Sequence, residues 1–284
     1  MARTVLITGC SDGGLGASLA LAFHTAGLKV YATARNPAKL GQVASAGIET
    51  LTLDVLSSES IKHAGSKLPN LDILVNNAGA EYLMPVADVD IVDAKRVFDL
   101  NFWSYIQVTQ AFLPLLLKSP HGGLIVNQSS VGSVAVLPFQ GVYTASKAAI
   151  AMLSDTLRLE LSVLGINVVD LKTGVVRSNL IKNQKDAKPP TLPENSIYYP
   201  AREVVEKALS QDAFAEGGMP TLQWATAVVG DLLKKKPPSV IWRGEQAWVA
   251  RLISVLPFGT FDSMLKKLTG LDVVEKIIKV GAGA

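Results

Sequence analysis

Short apolar runs alternate along the chain with stretches in which apolar residues recur every three or four positions. Runs of the first kind lie at residues 4–8, 29–34, 48–53, 71–76, 123–129 and 166–171, and each predicts a strand. Between them, residues 15–25, 57–68, 88–100, 102–117 and 143–164 predict helices. Strands this apolar must be covered on both faces, which calls for a parallel sheet with helices on either side. Right-handed crossovers then wind it into an α/β, doubly wound parallel sheet of the Rossmann type.

The alternation weakens after the sixth strand. Residues 175–200 hold Pro189, Pro190, Pro193 and Pro200 among polar side chains, a composition that disfavours helix. The segment leaves the sheet at its carboxyl edge, where ligands of such sheets bind, so it reads either as a substrate lid or as a passive surface loop. Residues 201–214 resume as a helix, and residues 239–243 offer a seventh strand. In the C-terminal extension, residues 245–284, Trp248, Leu252, Val255 and Phe258 fall near helical spacing, Pro257 interrupts them, and Met264, Leu265 and Leu268 follow beside Lys266 and Lys267. Two readings of it stand: a helical piece packed on the core or on a second subunit, or an amphipathic segment lying on a membrane surface with its lysines at the headgroups. Nothing resembles a repeat or an interdomain linker, so residues 1–284 read as one domain.

Composition narrows the function. With 284 residues and nearly half of them apolar, the chain can bury a sizeable core. A net charge of +3, with the lysines scattered, argues against a nucleic-acid partner. One cysteine, Cys10, allows neither a disulfide framework nor a cysteine metal cluster, and the three histidines are far apart, so no metal site is expected. Met1-Ala2-Arg3 leads straight into the first strand without a signal sequence, and no apolar segment approaches the ~20 residues a bilayer span needs. The expectation is a cytoplasmic protein whose membrane contact, at the endoplasmic reticulum or a lipid droplet, is at most peripheral.

Candidate chemistry lies at strand ends. Thr8-Gly9-Cys10-Ser11-Asp12-Gly13-Gly14-Leu15-Gly16 joins the first strand to the first helix, where glycines let backbone amides approach a pyrophosphate. Cys10 is a small filler in that turn. The second strand ends Thr33-Ala34-Arg35 rather than in an acidic residue; arginine there favours a 2′-phosphate and so NADPH over NADH, with Thr33 and Asn36 as helpers. Asp54, closing the third strand, is placed either to meet the adenine edge or to cap the following helix. Further on, Tyr143 and Lys147 stand one helical turn apart and Ser130 ends an apolar run. Tyrosine has a pKa of about 10 and is a poor acid until a nearby cation lowers that value. A serine hydroxyl can bond the same carbonyl oxygen as charge develops on it.

These motifs, together with Leu53-Asp54-Val55, Asn76-Asn77-Ala78-Gly79, Asn101 and Ser129-Ser130, occur in the order that resembles a short-chain dehydrogenase/reductase of the single-domain type, over residues 5–178. The resemblance implies that Tyr143 is the general acid in reduction, Ser130 polarises the carbonyl, and Lys147 lowers the tyrosine pKa and bonds the nicotinamide ribose. It gives Asn101 a water that links Lys147 to solvent. The cofactor, NADPH or NADP+, is expected on Thr8, Gly9, Ser11, Gly14, Leu15, Gly16, Arg35, Asn36, Asp54, Val55, Asn77, Ala78, Gly79, Tyr143, Lys147, Gly174, Val176 and Ser178. Two departures stand out: an extra residue in the glycine turn leaves the Gly13/Gly14 alignment open, and Thr173-Gly174 replaces the usual Pro-Gly after the sixth strand, which should loosen that turn. Within the family the chain is similar to hydroxysteroid and retinol dehydrogenases, and closer to fungal NADPH-dependent 1-acyldihydroxyacetone-phosphate reductases. That implies a small-molecule ketone, aldehyde or alcohol substrate, apolar and of medium to large size, and a homo-oligomer built on helices near residues 102–117 and 143–164. A binding or regulatory protein that keeps the nucleotide fold without turnover is the competing reading.

Overall fold

The computed structural model describes residues 2–187, 191–212, 217–257 and 259–282. Among the described residues nine strands run β1 (Thr4–Ile7), β2 (Lys29–Ala34), β3 (Glu49–Thr52), β4 (Ile73–Asn76), β5 (Leu124–Gln128), β6 (Asn167–Thr173), β7 (Val176–Arg177), β8 (Met219–Pro220) and β9 (Val240–Arg243). Seven of them form one parallel sheet in the order β3-β2-β1-β4-β5-β6-β9, while β7 and β8 pair separately. The order reverses between β1 and β4, and a doubly wound sheet opens its ligand crevice at such a switch point. Every strand expected from the apolar runs is present, with its ends moved by one or two residues at most.

The helices are α1 (Leu15–Thr25), α2 (Gly41–Ser45), α3 (Ser58–Ser66), α4 (Ile91–Phe98), α5 (Ser104–Leu116), α6 (Gly141–Ser162), α7 (Leu180–Ala187), α8 (Arg202–Ser210), α9 (Thr221–Leu232), α10 (Ala247–Ile253), α11 (Asp262–Thr269) and α12 (Leu271–Ala282). Successive side chains of a strand point to opposite faces, and the core divides accordingly. Val5 and Ile7 of β1 join Leu19 and Phe23 of α1 with Trp224 and Val228 of α9 on one face; Leu6 joins Ile61, Val108, Phe112 and Leu116 on the other. This two-sided burial explains why the strands read as unbroken apolar runs.

Three helices depart from the sequence expectation. α2 is short, and α9 fills its face with Trp224, Ala225, Val228 and Leu232 although residues 221–232 carry no expected element. The proline-rich stretch expected to be irregular contains β7 and α7, because its prolines follow the helix rather than interrupt it; Pro189 and Pro190 lie outside the described residues. The helix expected over 201–214 is α8, and Phe214 also lies outside them.

The extension resolves into two parts. In α10 it is Ala247 and Ala250 that are buried, while Trp248 is 68% exposed and Leu252 and Val255 also face solvent; Phe258 lies outside the described residues. α12 instead packs inward: Val274, with Leu271 and Ile277 beside it, joins Val205 and Leu209 of α8 and Tyr82, Leu83 and Met84 of the loop after β4 in a third apolar cluster. The end of the chain thus braces the segment that borders the carboxyl edge. No described helix is long and apolar enough to cross a membrane.

Candidate active site

The glycine turn is shaped by close approach. Gly9 and Gly13 have φ of +73° and +71°, in the left-handed region that glycine enters freely. A Cβ on Gly9 would meet the Ala78 Cα at 2.8 Å, and one on Gly16 would meet the Gly9 carbonyl oxygen at 2.5 Å. Gly14 is the N-cap of α1 and makes no side-chain cap bond, so the first amides of the helix are left for an anion. Gly9 and Gly13 thus supply the unusual backbone, Gly14 starts the helix, and Gly16 makes the tight contact. A dinucleotide pyrophosphate fits this cradle on geometry and on the chemistry of its donors.

Several expected cofactor residues also make bonds that hold the frame. The Thr8 hydroxyl accepts from the Asn77 and Ala78 amides (2.9 and 3.0 Å), and the Asn77 side chain donates to the Thr8 and Gly9 carbonyls (2.8 and 3.1 Å). These bonds stitch the Asn77-Ala78-Gly79 loop to the glycine turn. Thr33, expected as a helper of Arg35, is fully buried and donates to the Ile7 carbonyl at 2.9 Å, because β2 presents it to β1. Asn36 accepts from the Ala38 amide, and Asp54 from the Leu56 amide at 3.0 Å; Ser57, not Asp54, caps α3. Arg35 is exposed at the end of β2. Val55 is buried, and Ser11 and Leu15 are half-buried within the turn and first helical residue. Cys10 is fully buried, and burial pushes its thiol up to about 12, which leaves it an inert filler.

The turn after β6 is not loosened by the missing proline. Gly174 donates to the Arg243 carbonyl at 2.8 Å, Val175 and Glu245 exchange backbone bonds, and the Thr173 hydroxyl accepts from Gln128 Nε2 at 2.6 Å. A Cβ on Gly174 would meet the Glu245 carbonyl oxygen at 2.2 Å, so glycine is required here. Val176 lies in β7 against the first apolar cluster, and the Ser178 hydroxyl faces the start of α7, 3.4 Å from the Leu180 amide.

Four residues converge at the carboxyl edge from three elements. Ser130 follows β5; Tyr143 and Lys147 lie on the buried face of α6 with Ser146, Ile150 and Ser154, a helical stripe that faces the sheet. Asn101 sits fully buried in a single π-helical turn, Asp99–Trp103, a feature that often marks functional sites. Its side chain exchanges bonds with the Ala80 backbone, 2.9 Å each way, and donates to Ser146 Oγ at 3.0 Å. Both amide donors are therefore committed, while Oδ1 accepts one bond and keeps a second acceptor site. Lys147 Nζ donates to the Gln128 carbonyl at 2.9 Å and stands 5.8 Å from the Tyr143 ring centroid.

The electrostatics run against one sequence expectation. Tyr143 is pushed well above the ordinary phenol range, first by burial and then by the charge of Glu81, with a Ser130 hydrogen bond pulling the other way. Lys147 is itself pulled down to about 8 by burial, opposed by Glu81 and Asp170. The net shift of Tyr143 is thus upward in this arrangement, although the Lys147 ammonium stands 5.8 Å from its ring centroid; the phenol is held protonated, the form that donates a proton.

Sequence reasoning passes over the supports of this site. The Ser129 hydroxyl bonds the Asp170 carboxylate, whose other oxygen pairs with Lys172 Nζ at 2.6 Å; Lys172 also donates to Ser133 Oγ at 2.8 Å, and the ion pair is buried. Ser129 is thereby occupied, which leaves Ser130 as the serine that meets Tyr143. Asp12 reaches across to the Gly41 and Gln42 amides (3.1 and 2.9 Å) and ties the glycine turn to α2. Glu81, two residues past Gly79, is legible only as a position next to a motif at the crevice; Gln211, its hydrogen-bond partner at 3.3 Å, carries no sequence signal.

A parallel sheet with its switch point at a glycine cradle, and a Ser-Tyr-Lys group on the carboxyl edge, define a nucleotide-dependent oxidoreductase. The chain belongs to the short-chain dehydrogenase/reductase family: the family profile described as short chain dehydrogenase matches residues 3–189. It is 56% identical over 278 residues, 98% of either chain, to a short-chain dehydrogenase/reductase of Pestalotiopsis microspora. It is 36% identical, over 95% of either chain, to the NADPH-dependent 1-acyldihydroxyacetone phosphate reductase of Schizosaccharomyces pombe. Among solved structures, a short-chain dehydrogenase from Streptomyces avermitilis superimposes with a TM-score of 0.74 at 26% identity, covering 97% of this chain and 98% of that one. Members of the family are oxidoreductases that act on CH–OH and C=O groups with a nicotinamide cofactor.

Proposed function

We propose that the protein is an NADPH-dependent carbonyl reductase that converts an apolar, medium-to-large ketone or aldehyde to the alcohol. The observation that carries this reading is the meeting of the Ser130 and Tyr143 hydroxyls, with Lys147 behind them, at the edge where the glycine cradle opens. Exposed Arg35 at the end of β2 favours the 2′-phosphate, and the Schizosaccharomyces pombe relative is described as NADPH-dependent. The amides of Leu15 and Gly16 would hold the pyrophosphate, the Asn77-Ala78-Gly79 loop and Asp54-Val55 the adenosine side, and Lys147, Val176 and Ser178 the nicotinamide end.

When bound, NADPH supplies the hydride that reaches the carbonyl carbon. Ser130 donates a hydrogen bond to the carbonyl oxygen and so stabilises the negative charge that grows there. Tyr143 gives its phenolic proton to that oxygen, which completes the alcohol; holding the phenol neutral before the reaction suits this direction. Lys147, lowered to about 8, is the cation beside the phenolate that results. Tyr143→Phe is expected to abolish NADPH oxidation across a panel of ketones and aldehydes while NADPH still quenches or shifts protein fluorescence. Near-normal turnover by that variant would overturn the assignment of the acid.

The finer partner readings are part of the same proposal. Dimerisation through α5 and α6 is favoured by exposed Trp103, Met152, Leu159 and Val163, and sedimentation velocity tests it. Peripheral contact of the cytoplasmic protein with a lipid surface is favoured by exposed Trp248, Leu252, Val255 and Leu256 on and after α10; flotation with and without anionic vesicles tests it.

A further inference from the structure

We propose that Glu81 and Gln211 form a substrate subsite beside Tyr143 that takes a neutral hydrogen-bond donor, a hydroxyl close to the reacting carbonyl, and disfavours a phosphate at that position. The inference rests on the carbonyl-reductase reading of the Ser130-Tyr143-Lys147 site and names the substrate class that site would take.

Glu81 is placed by the catalytic machinery itself. Asn101 holds both backbone groups of the preceding residue, Ala80, at 2.9 Å, so the loop after β4 has one course and Glu81 emerges from it at the crevice. The carboxylate lies close enough to Tyr143 and to Lys147 for its charge to act on both. It is half-buried, and one of its oxygens, Oε2, accepts from Gln211 Nε2 at 3.3 Å. Among the described residues the other oxygen, Oε1, has no hydrogen-bond partner.

Gln211 is held in place with equal care. It ends α8 with φ of +53°, a left-handed conformation that side-chain-bearing residues rarely adopt, and it is 6% exposed. A buried amide in a strained backbone position, aimed at a carboxylate that keeps a second oxygen open, orients that oxygen. Val205 and Leu209 on the buried face of α8 pack against Tyr82, Leu83 and Met84, the residues that directly follow Glu81. The two halves of the subsite are therefore fixed to each other by apolar contact as well as by the hydrogen bond.

An ionised carboxylate only accepts hydrogen bonds. It therefore favours a hydroxyl on the carbon next to the carbonyl, or one carbon further, and repels an anion there. The Lys147 charge offsets part of this, but its ammonium donates to the Gln128 carbonyl and makes no hydrogen bond to the Glu81 carboxylate. The Schizosaccharomyces pombe relative is described as acting on a phosphate ester. By this inference the present chain differs from it in the group it accepts beside the reacting carbon.

The test uses three ketones of matched chain length: a 1-hydroxy-2-alkanone, its phosphate ester, and the 2-alkanone. They are assayed with NADPH at pH 8, above the value of about 7 to which burial lifts Glu81. The readout is the ratio of kcat/KM between ketones, compared across the wild type, Glu81→Gln and Glu81→Leu, with NADPH titration reporting that each variant is folded. Glu81→Leu is expected to lower the hydroxyketone-to-alkanone ratio about 10-fold or more, as expected when a charged acceptor is lost. Glu81→Gln, nearly isosteric, keeps part of that ratio and raises the phosphate-to-hydroxyketone ratio about 10-fold. Gln211→Leu shifts both ratios the same way by a smaller factor. Ratios unchanged in both Glu81 variants overturn the subsite while leaving the reductase reading intact. A wild type that reduces none of the three, nor any other carbonyl compound, overturns the reductase reading, and the subsite falls with it.

Discussion

The two halves of the crevice are built in different ways. On the cofactor side the backbone makes the site: Gly9, Gly13 and Gly16 clear a path, and the uncapped amides of α1 face it. The side chains there, Thr8, Asn36, Asn77 and Asp54, are mostly occupied in holding the loops together. On the substrate side, side chains from the loop after β4, the end of β5, α6 and the end of α8 gather, and burial first, then their mutual charges, shift their protonation. A backbone site recognises a feature common to all dinucleotides, whereas a side-chain site can be retuned one residue at a time.

The largest expected effect separates the halves outright. Tyr143→Phe should cost ~10²–10⁴-fold or more in kcat/KM with NADPH affinity retained, as measured by steady-state kinetics and fluorescence titration. Loss of both would mean that the halves are not independent. Next, Lys172→Met strands the buried Asp170 carboxylate behind Ser129 and should destabilise the fold by about 3–5 kcal/mol, read from the urea midpoint. An unchanged midpoint would show that the ion pair is not what holds the serine strand end.

Arg35→Asp should act on the cofactor half alone, weakening NADPH roughly 10–100-fold relative to NADH through loss of a charge-assisted contact. The ratio of the two dissociation constants checks it, and an unmoved ratio places the 2′-phosphate elsewhere. The smallest effect is a pH shift. Glu81 is raised by burial from its ordinary 4.5 to about 7, so when folded it holds its proton more tightly than when unfolded. The stabilisation this gives is full below about 4.5 and is lost as pH rises through about 7. Glu81→Gln should flatten Tm between those limits. It should also move the rising limb of the pH profile of alcohol oxidation to lower pH, because the ionised carboxylate opposes the Tyr143 phenolate. A limb that stays in place would remove Glu81 from the electrostatics of the tyrosine.

Legibility in the sequence follows the same division. The β1–α1 turn is readable because its glycines, strand and helix are contiguous, and α1 and β2 end where the pattern puts them. The tyrosine and lysine are readable as a pair because one helical turn fixes their relation. The net upward shift of Tyr143 is not: burial and the Glu81 charge set it, and the Lys147 ammonium goes to the Gln128 carbonyl, a contact between α6 and β5 that no local pattern encodes. The Thr173-Gly174 turn misleads for a like reason, since Arg243 and Glu245, far along the chain, hold it. In the extension, helical spacing marks Trp248, Leu252 and Val255 as one stripe, yet the alanines Ala247 and Ala250 face inward, because small residues let α10 lie close to β9.

By itself the sequence determined the order of strands and helices, the parallel sheet they must form, the glycine cradle and the setting of Tyr143 one turn before Lys147. Each depends on residues close in the chain, where backbone geometry leaves few choices. Only the tertiary structure decided that the Thr8 and Thr33 hydroxyls bond the backbone of neighbouring strands and loops, that Asp170 and Lys172 stand behind the serines, and that Gln211 bonds Glu81. Those outcomes depend on which distant side chains share a buried space, and on what that burial does to their charges.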